Sequence, residues 1–151
     1  MGRVAVEVDV AGPVAAAEEL WYEPRRWASF IDGFGHLVKL EGDWPHAGAR
    51  VVWQSTPAGR GRVTERVVEH EPGRGQALAV EDPRMRGVQR VAFERLEDGA
   101  NVRLELDYEL KGGSPLQPVV DVLFIRRAVR DSLRRTLTRF SRELAGDREL
   151  L

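Results

Sequence analysis

Gly112-Gly113-Ser114-Pro115 divides this 151-residue chain into two unlike patterns. Upstream, from about Gly48, short segments alternate apolar and polar residues. Downstream, Val129, Leu133, Leu137, Phe140 and Leu144 recur at intervals of three and four, the stripe of an amphipathic helix. That helix is predicted to start near Ser114-Pro115 or at Gln117-Pro118, because proline suits a first helical turn at either place. It is predicted to end near Ala145, before Gly146. At about 1.5 Å per residue it is on the order of 40 Å long. Its first half, Val119 to Ile125, is apolar except for Asp121 and calls for apolar neighbours on more than one side. One long helix after a run of antiparallel strands points to a sheet curled around a helix, an arrangement that encloses a cavity.

Working back toward the start, Asn101 to Leu110 is the cleanest strand. Val102, Leu104, Leu106, Tyr108 and Leu110 share one face and Asn101, Arg103, Glu105, Asp107 and Glu109 the other, so one face of the sheet is wet. Asp98-Gly99 marks a hairpin before it. Further strands are predicted at Arg86–Leu96, Gln76–Glu81, Arg62–His70, Ala49–Ser55 and Phe34–Glu41, separated by turns rich in Gly, Pro and Asp. The opening strand, Arg3 to Val10, puts Val4, Val6, Val8 and Val10 on one face. Gly12-Pro13 then starts a helix over Val14–Trp21, and Pro24 starts a second, Arg25–Phe30. Trp21, Trp27, Phe30 and Ile31 give this pair an aromatic inner side. The order is β-α-α-β-β-β-β-β-β-α with no internal repeat or linker, and it reads as one α+β domain over residues 1–151.

Composition excludes several classes. The absence of cysteine rules out disulfides, thiolate catalysis and cysteine-bound zinc or iron–sulfur centres. A net charge of −1 gives no long-range attraction to nucleic acid. Residues 1–20 lack a basic start followed by an apolar core, and no apolar run is long enough to span a membrane, so a cytoplasmic protein is expected. Lys39 and Lys111 are the only lysines among 23 basic residues, a bias that hints at a GC-rich bacterial gene.

Other signals carry no chemistry. His36, His46 and His70 lack metal-ligand spacing, and Glu69-His70-Glu71 reads as an exposed strand end. No metal or cofactor is expected. Gly59-Arg60-Gly61-Arg62 and Gly73-Arg74-Gly75 lead into no helix and read as turns. Residues 115–151 hold eight arginines against five acids, a net +3. That basic helix face reads as solvated, with contact to an anionic membrane surface or RNA as the other reading.

The order of elements resembles the helix-grip fold of the START/Bet v 1-like (SRPBCC) superfamily, in particular its bacterial polyketide cyclase/dehydrase and lipid-transport branch. The residues that carry the resemblance are Val4 to Val10 leading into Gly12-Pro13-Val14, then Pro24-Arg25-Arg26-Trp27, then Glu41-Gly42-Asp43 before Gly48 and Trp53. Val67-Val68-Glu69-His70-Glu71-Pro72-Gly73 and the Gly112-Gly113-Ser114-Pro115 break complete it. The resemblance implies a curved antiparallel sheet of about seven strands wrapped around the C-terminal helix. It also implies a cavity for a hydrophobic ligand such as a lipid, quinone or polyketide.

In such a fold the cavity walls would be Trp53, Val63, Val67, Val91, Phe93, Leu104, Leu106 and Tyr108 from the sheet. Val122, Val129 and Leu133 would face them from the helix, with Phe30 and Phe34 as a lid. Any one of them could simply fill the core, the commoner role of a buried apolar side chain. Three polar residues lie on apolar faces: Glu65 between Val63 and Val67, Gln89 beside Val91 and Phe93, and Tyr108 after Leu106. A buried carboxylate must be paired, hydrogen-bonded or protonated. Glu65 therefore either orients a ligand or acts as an acid/base, or it pairs with an arginine such as Arg90 or Arg95. The leading expectation is a carrier or sensor of an apolar small molecule, with a cavity larger than a packing defect and few polar groups inside. The alternative is a polyketide cyclase/aromatase-like enzyme with Glu65 and Tyr108 as weak catalytic candidates. A membrane- or macromolecule-binding module is the third.

Overall fold

The computed structural model describes residues 2–112 and 119–150. Seven strands form one antiparallel sheet: β1 (Gly2–Ala11), β2 (Phe34–Glu41), β3 (Arg50–Ser55), β4 (Arg62–Glu71), β5 (Gly75–Glu81), β6 (Met85–Leu96) and β7 (Gly99–Leu110). Their spatial order is β1-β7-β6-β5-β4-β3-β2. The chain therefore crosses from one sheet edge to the other between β1 and β2. It does so through α1 (Val14–Trp21), a single 3-10 turn (Pro24–Arg26) and α2 (Trp27–Phe30). The long helix α3 runs from Val119 to Glu149. The architecture is the α+β helix grip that the element order implied. The prolines at which that helix was expected to start lie outside the described residues.

Alternation sets the inner face. Val4, Val6 and Val10 on β1, Val51 and Trp53 on β3, Val63 and Val67 on β4, and Val102, Leu104, Leu106 and Tyr108 on β7 are all buried. Opposite them, outer-face residues pair by charge, as in Arg3 with Asp107 at 2.6 Å and Arg86 with Glu109 at 3.0 Å. The helical stripe read from the sequence is the one that closes the core: Leu133, Leu137, Phe140 and Leu144 are buried. Phe140 is fully buried, with the rings of Trp21 and Phe30 each 5.3 Å away.

α3 packs chiefly on β1 and on α2. The β3–β6 half of the concave face is thereby left to be filled by α1, α2 and the β2–β3 loop, and aromatic side chains fill it. This division places the cavity.

Three details depart from the sequence reading. Gly146 does not end α3, which continues to Glu149. The last turns are held by Arg26, whose guanidinium bonds Glu143 and Asp147, four residues apart on one helix face. The second short helix is split into the 3-10 turn and α2. In the first half of α3, Val122, Leu123 and Phe124 are exposed and do not gain the apolar neighbours expected, while Ile125 packs on the core.

Candidate functional site

A cavity of about 60 Å³ lies between α3 and the concave face of β3–β7, partly open to solvent. All four tryptophans of the chain, Trp21, Trp27, Trp44 and Trp53, line it. Three of these rings are held by their indole N–H groups. Trp27 donates to the Trp21 carbonyl at 2.9 Å, Trp44 to the Tyr22 carbonyl at 2.8 Å, and Trp53 to Glu65 at 3.2 Å. Ile31, Leu78, Leu104 and Leu133 complete the apolar wall. Close-packed, hydrogen-bonded indoles form a stiff wall with little rotamer freedom left to lose on binding.

The rest of the lining is polar: Asp32, Arg60, Glu65, Gln76, Gln89, Ser132 and Thr136. The sequence predicts few polar groups inside, whereas seven of the fifteen lining residues are polar. The inner cluster centres on Glu65, which is buried on β4. Burial pushes its carboxyl above the ordinary range, while the nearby Arg60 charge and the Trp53 N–H pull the other way. The arginine facing Glu65 is thus Arg60, not Arg90 or Arg95. Arg90 lies on the outer face with Asp107, 3.8 Å away. Arg60 itself is clamped by Asp82 at 2.8 Å and lies 5.7 Å from the centre of the Trp53 ring. Asp82 is buried and turns back to accept from the backbone N–H groups of Arg84 and Met85.

At the mouth, the corner after α2 is tied to α3 by polar contacts. Asp32 accepts from Ser132 at 2.8 Å, from Arg135 at 3.0 Å and from Arg139 at 3.1 Å, and its backbone N–H donates to Thr136 at 2.9 Å. Burial alone would raise the Asp32 carboxyl. Arg135, Ser132 and Arg139 outweigh that and hold it below its usual range. Part of the arginine-rich face of α3 is therefore spent on this corner and is not simply solvated.

Of the expected wall residues, Trp53, Glu65, Gln89, Leu104 and Leu133 meet at the cavity. Val63, Val67, Val91, Phe93 and Leu106 are buried in the core beside it, outside the lining. Phe30 and Phe34 are core and no lid: Phe30 packs on Trp21, and Phe34 lies 5.2 Å from the Trp53 ring. Val129 packs half-buried on the core and Val122 is exposed, with α3 packing chiefly on β1 and α2. Tyr108 shares a row with Glu65 through Val80 and Gly87, but three strands away. At about 4.8 Å per strand that is roughly 14 Å, and the two do not converge. Burial raises the Tyr108 phenol, with Arg126 and Arg130 opposing.

Trp44, Arg60, Gln76, Leu78, Asp32, Ser132 and Thr136 were missed, and Trp21, Trp27 and Ile31 read in the sequence only as the aromatic inner side of the helix pair. Arg60 lies in a glycine-rich segment that reads as a plain turn, and Trp44 in a loop. Only Gln76 gave a signal, since it shares a face with Leu78 and Val80. His70 is also reassigned from an exposed strand end. A bulge at Val67/Glu69 re-aims the strand, and the His70 ring packs on Tyr22 and His46 at 5.3 and 5.1 Å.

A curved antiparallel sheet gripping a long helix around an internal cavity defines the helix-grip class. The chain belongs to the polyketide cyclase / dehydrase and lipid transport family, whose family model matches residues 1–145. No curated protein matches the sequence. Similar solved structures include an uncharacterized protein from Rhizobium leguminosarum, 15% identical, with a TM-score of 0.73 over 96% of this chain and 95% of that one. A protein from Rhodobacter sphaeroides is 17% identical, with a TM-score of 0.70 over 95% and 92%. The di-domain ARO/CYC StfQ of the steffimycin biosynthetic pathway is 17% identical, with a TM-score of 0.77 over 99% of this chain and 52% of that one. At these identities the likeness is one of fold. Among the described residues no helix is long and apolar enough to cross a membrane, and no three His, Asp or Glu side chains converge as a metal site.

Proposed function

We propose that this protein binds an aromatic, largely apolar small molecule in the cavity between its sheet and α3. The observation that carries the reading is the convergence of all four tryptophans on one cavity, drawn from α1, α2, β3 and the β2–β3 loop. Aromatic walls favour a flat ligand, through buried area and through offset or edge contacts between rings. About 150 Å² of ring surface at about 25 cal/mol per Å² supplies about 4 kcal/mol before ordering costs. That is millimolar binding, so tight binding needs polar contacts as well.

The 60 Å³ of this partly open cavity admits about two waters. A ring therefore enters by displacing the wall. The half-buried Ile31 and the Asp32 corner held by exchangeable polar contacts are the parts that can yield.

Native mass spectrometry of the purified protein, with solvent extraction, tests the reading. The expected result is a co-purifying or added polycyclic aromatic that shifts the mass and changes tryptophan emission. An unshifted mass and unchanged emission across lipids, quinones and aromatic polyketides would count against it.

A second reading is a ring-closing enzyme of the cyclase/aromatase kind. It is favoured by Glu65, a buried carboxyl with a raised pKa beside a fixed arginine, which suits a proton donor or acceptor. Turnover of a polyketide-like chain that drops with Glu65→Gln would support it.

A further inference from the structure

We infer that the first half of α3 seats the protein on an anionic lipid surface, with Val122, Leu123 and Phe124 entering the headgroup layer and Arg126, Arg127 and Arg130 meeting lipid phosphates. None of these residues lines the cavity, so the surface stands apart from the binding reading above.

Consecutive helical residues point about 100° apart, so three in a row face three sides of the helix. Val122, Leu123 and Phe124 are nevertheless all exposed, Leu123 at 58% and Phe124 at 73%. α3 therefore stands clear of the fold at this turn. Among its described side chains, Ile125 is the first to pack on the core. Single exposed apolar residues are ordinary, but an apolar turn rimmed by charge marks a contact surface.

The rim is basic. Arg126 and Arg127 are exposed and Arg130 is half-buried. Among the described residues, the α3 arginines held in ion pairs are Arg135 and Arg139, both on Asp32. Arg126 and Arg130 lie near enough to Tyr108 to act on its phenol. The acids at that end of the sheet are already matched: Glu109 with Arg86 at 3.0 Å, Glu81 with Lys111 at 2.5 Å and Asp82 with Arg60 at 2.8 Å. Along residues 119–134 the sequence sets four arginines against Asp121 and Asp131, a net of +2. An anionic surface complements this charge.

The spacing also fits. At about 1.5 Å per residue, the three arginines follow Phe124 by about 3–9 Å along the axis. Interfacial apolar side chains bury about 5–10 Å into the headgroup and acyl boundary, which brings the guanidinium groups to the phosphates. A second copy docked on this turn by two-fold symmetry would set the same arginines against each other. RNA would engage the arginines and leave Val122 and Leu123 unburied.

The test is co-sedimentation of the full chain with vesicles of phosphatidylcholine alone or mixed with phosphatidylglycerol. Binding is expected to the mixed vesicles only, and to weaken as salt is raised. Phe124→Ser is expected to weaken it about tenfold, and Arg127→Gln with Arg130→Gln about tenfold or more. Naphthol, a bicyclic aromatic that probes the cavity, is expected to bind the wild type and these variants alike, which separates loss of docking from loss of the container. No binding to mixed vesicles overturns the inference and leaves the container standing. Equal binding to both vesicle types, unchanged binding by Phe124→Ser, or tighter binding to RNA than to mixed vesicles overturns it as well.

Discussion

Replacing Glu65 by Gln isolates the energetics of the buried carboxyl. Glutamine keeps the oxygen that accepts from the Trp53 indole at 3.2 Å and nearly the same volume, but it cannot ionise. In the wild type, burial raises the Glu65 pKa above its ordinary value of 4.5. Below that value both folded and unfolded chains hold the proton, and the contribution of the raised pKa to stability is fully present. As pH climbs above it, the unfolded chain loses the proton first. The stability of the wild type relative to Glu65→Gln then falls by up to about 1.4 kcal/mol per pH unit, until the folded carboxyl also ionises, and is flat thereafter. Other titrating groups are common to both chains and cancel in the difference. Urea unfolding of the two proteins in parallel, followed by tryptophan emission at steps from about pH 4 to about pH 9, measures it. A difference that does not change with pH would refute the reasoning. A difference that moves in the wild type's favour as pH rises would show that Arg60 and not burial governs Glu65.

Three further outcomes are expected. Phe140→Ala removes a fully buried ring between Trp21 and Phe30 and should cost about 3–5 kcal/mol in chemical unfolding; a loss near zero would mean that α3 is not gripped there. Asp32→Asn gives up the charged contacts to Arg135 and Arg139 and should cost about 1–2 kcal/mol at neutral pH. Because the Asp32 pKa is depressed, this difference should be present above its ordinary 3.8 and vanish as pH falls through the lower folded value, and a cost that persists in acid would contradict it. Tyr108→Phe should leave naphthol affinity within about twofold, since its ring lies outside the cavity; a tenfold loss would place the phenol in the site after all.

The fold was legible because two periodicities change cleanly at Gly112. Alternation from Val4 to Tyr108 assigned inner and outer faces that burial bears out, and the Val129-to-Leu144 stripe named the buried side of α3. Helix ends were less legible. Gly146 looks like a terminator, but Arg26, far away in sequence, holds the turn beyond it. The cavity was half legible for a physical reason. Period two says which strand residues face inward but not what α3 packs on. That helix packs chiefly on β1 and α2, Val122 is exposed, and Val67, Val91 and Phe93 are left as core packing. Arg60 and Trp44 lie in turn and loop segments where no period operates. Only the curl of the sheet brings them to Glu65 and Gln76.

The central claim is that a small molecule occupies the space walled by the four tryptophans. Proton–nitrogen correlation spectra recorded during a naphthol titration address it most directly, because each indole N–H gives its own peak. The indole peaks of Trp27, Trp44 and Trp53, together with the Gln76 side-chain amide, are expected to move along a saturating curve while amides of the outer-face residues Arg3 and Arg86 stay in place. Stationary indole peaks, or shifts confined to the outer face of the sheet, would contradict it.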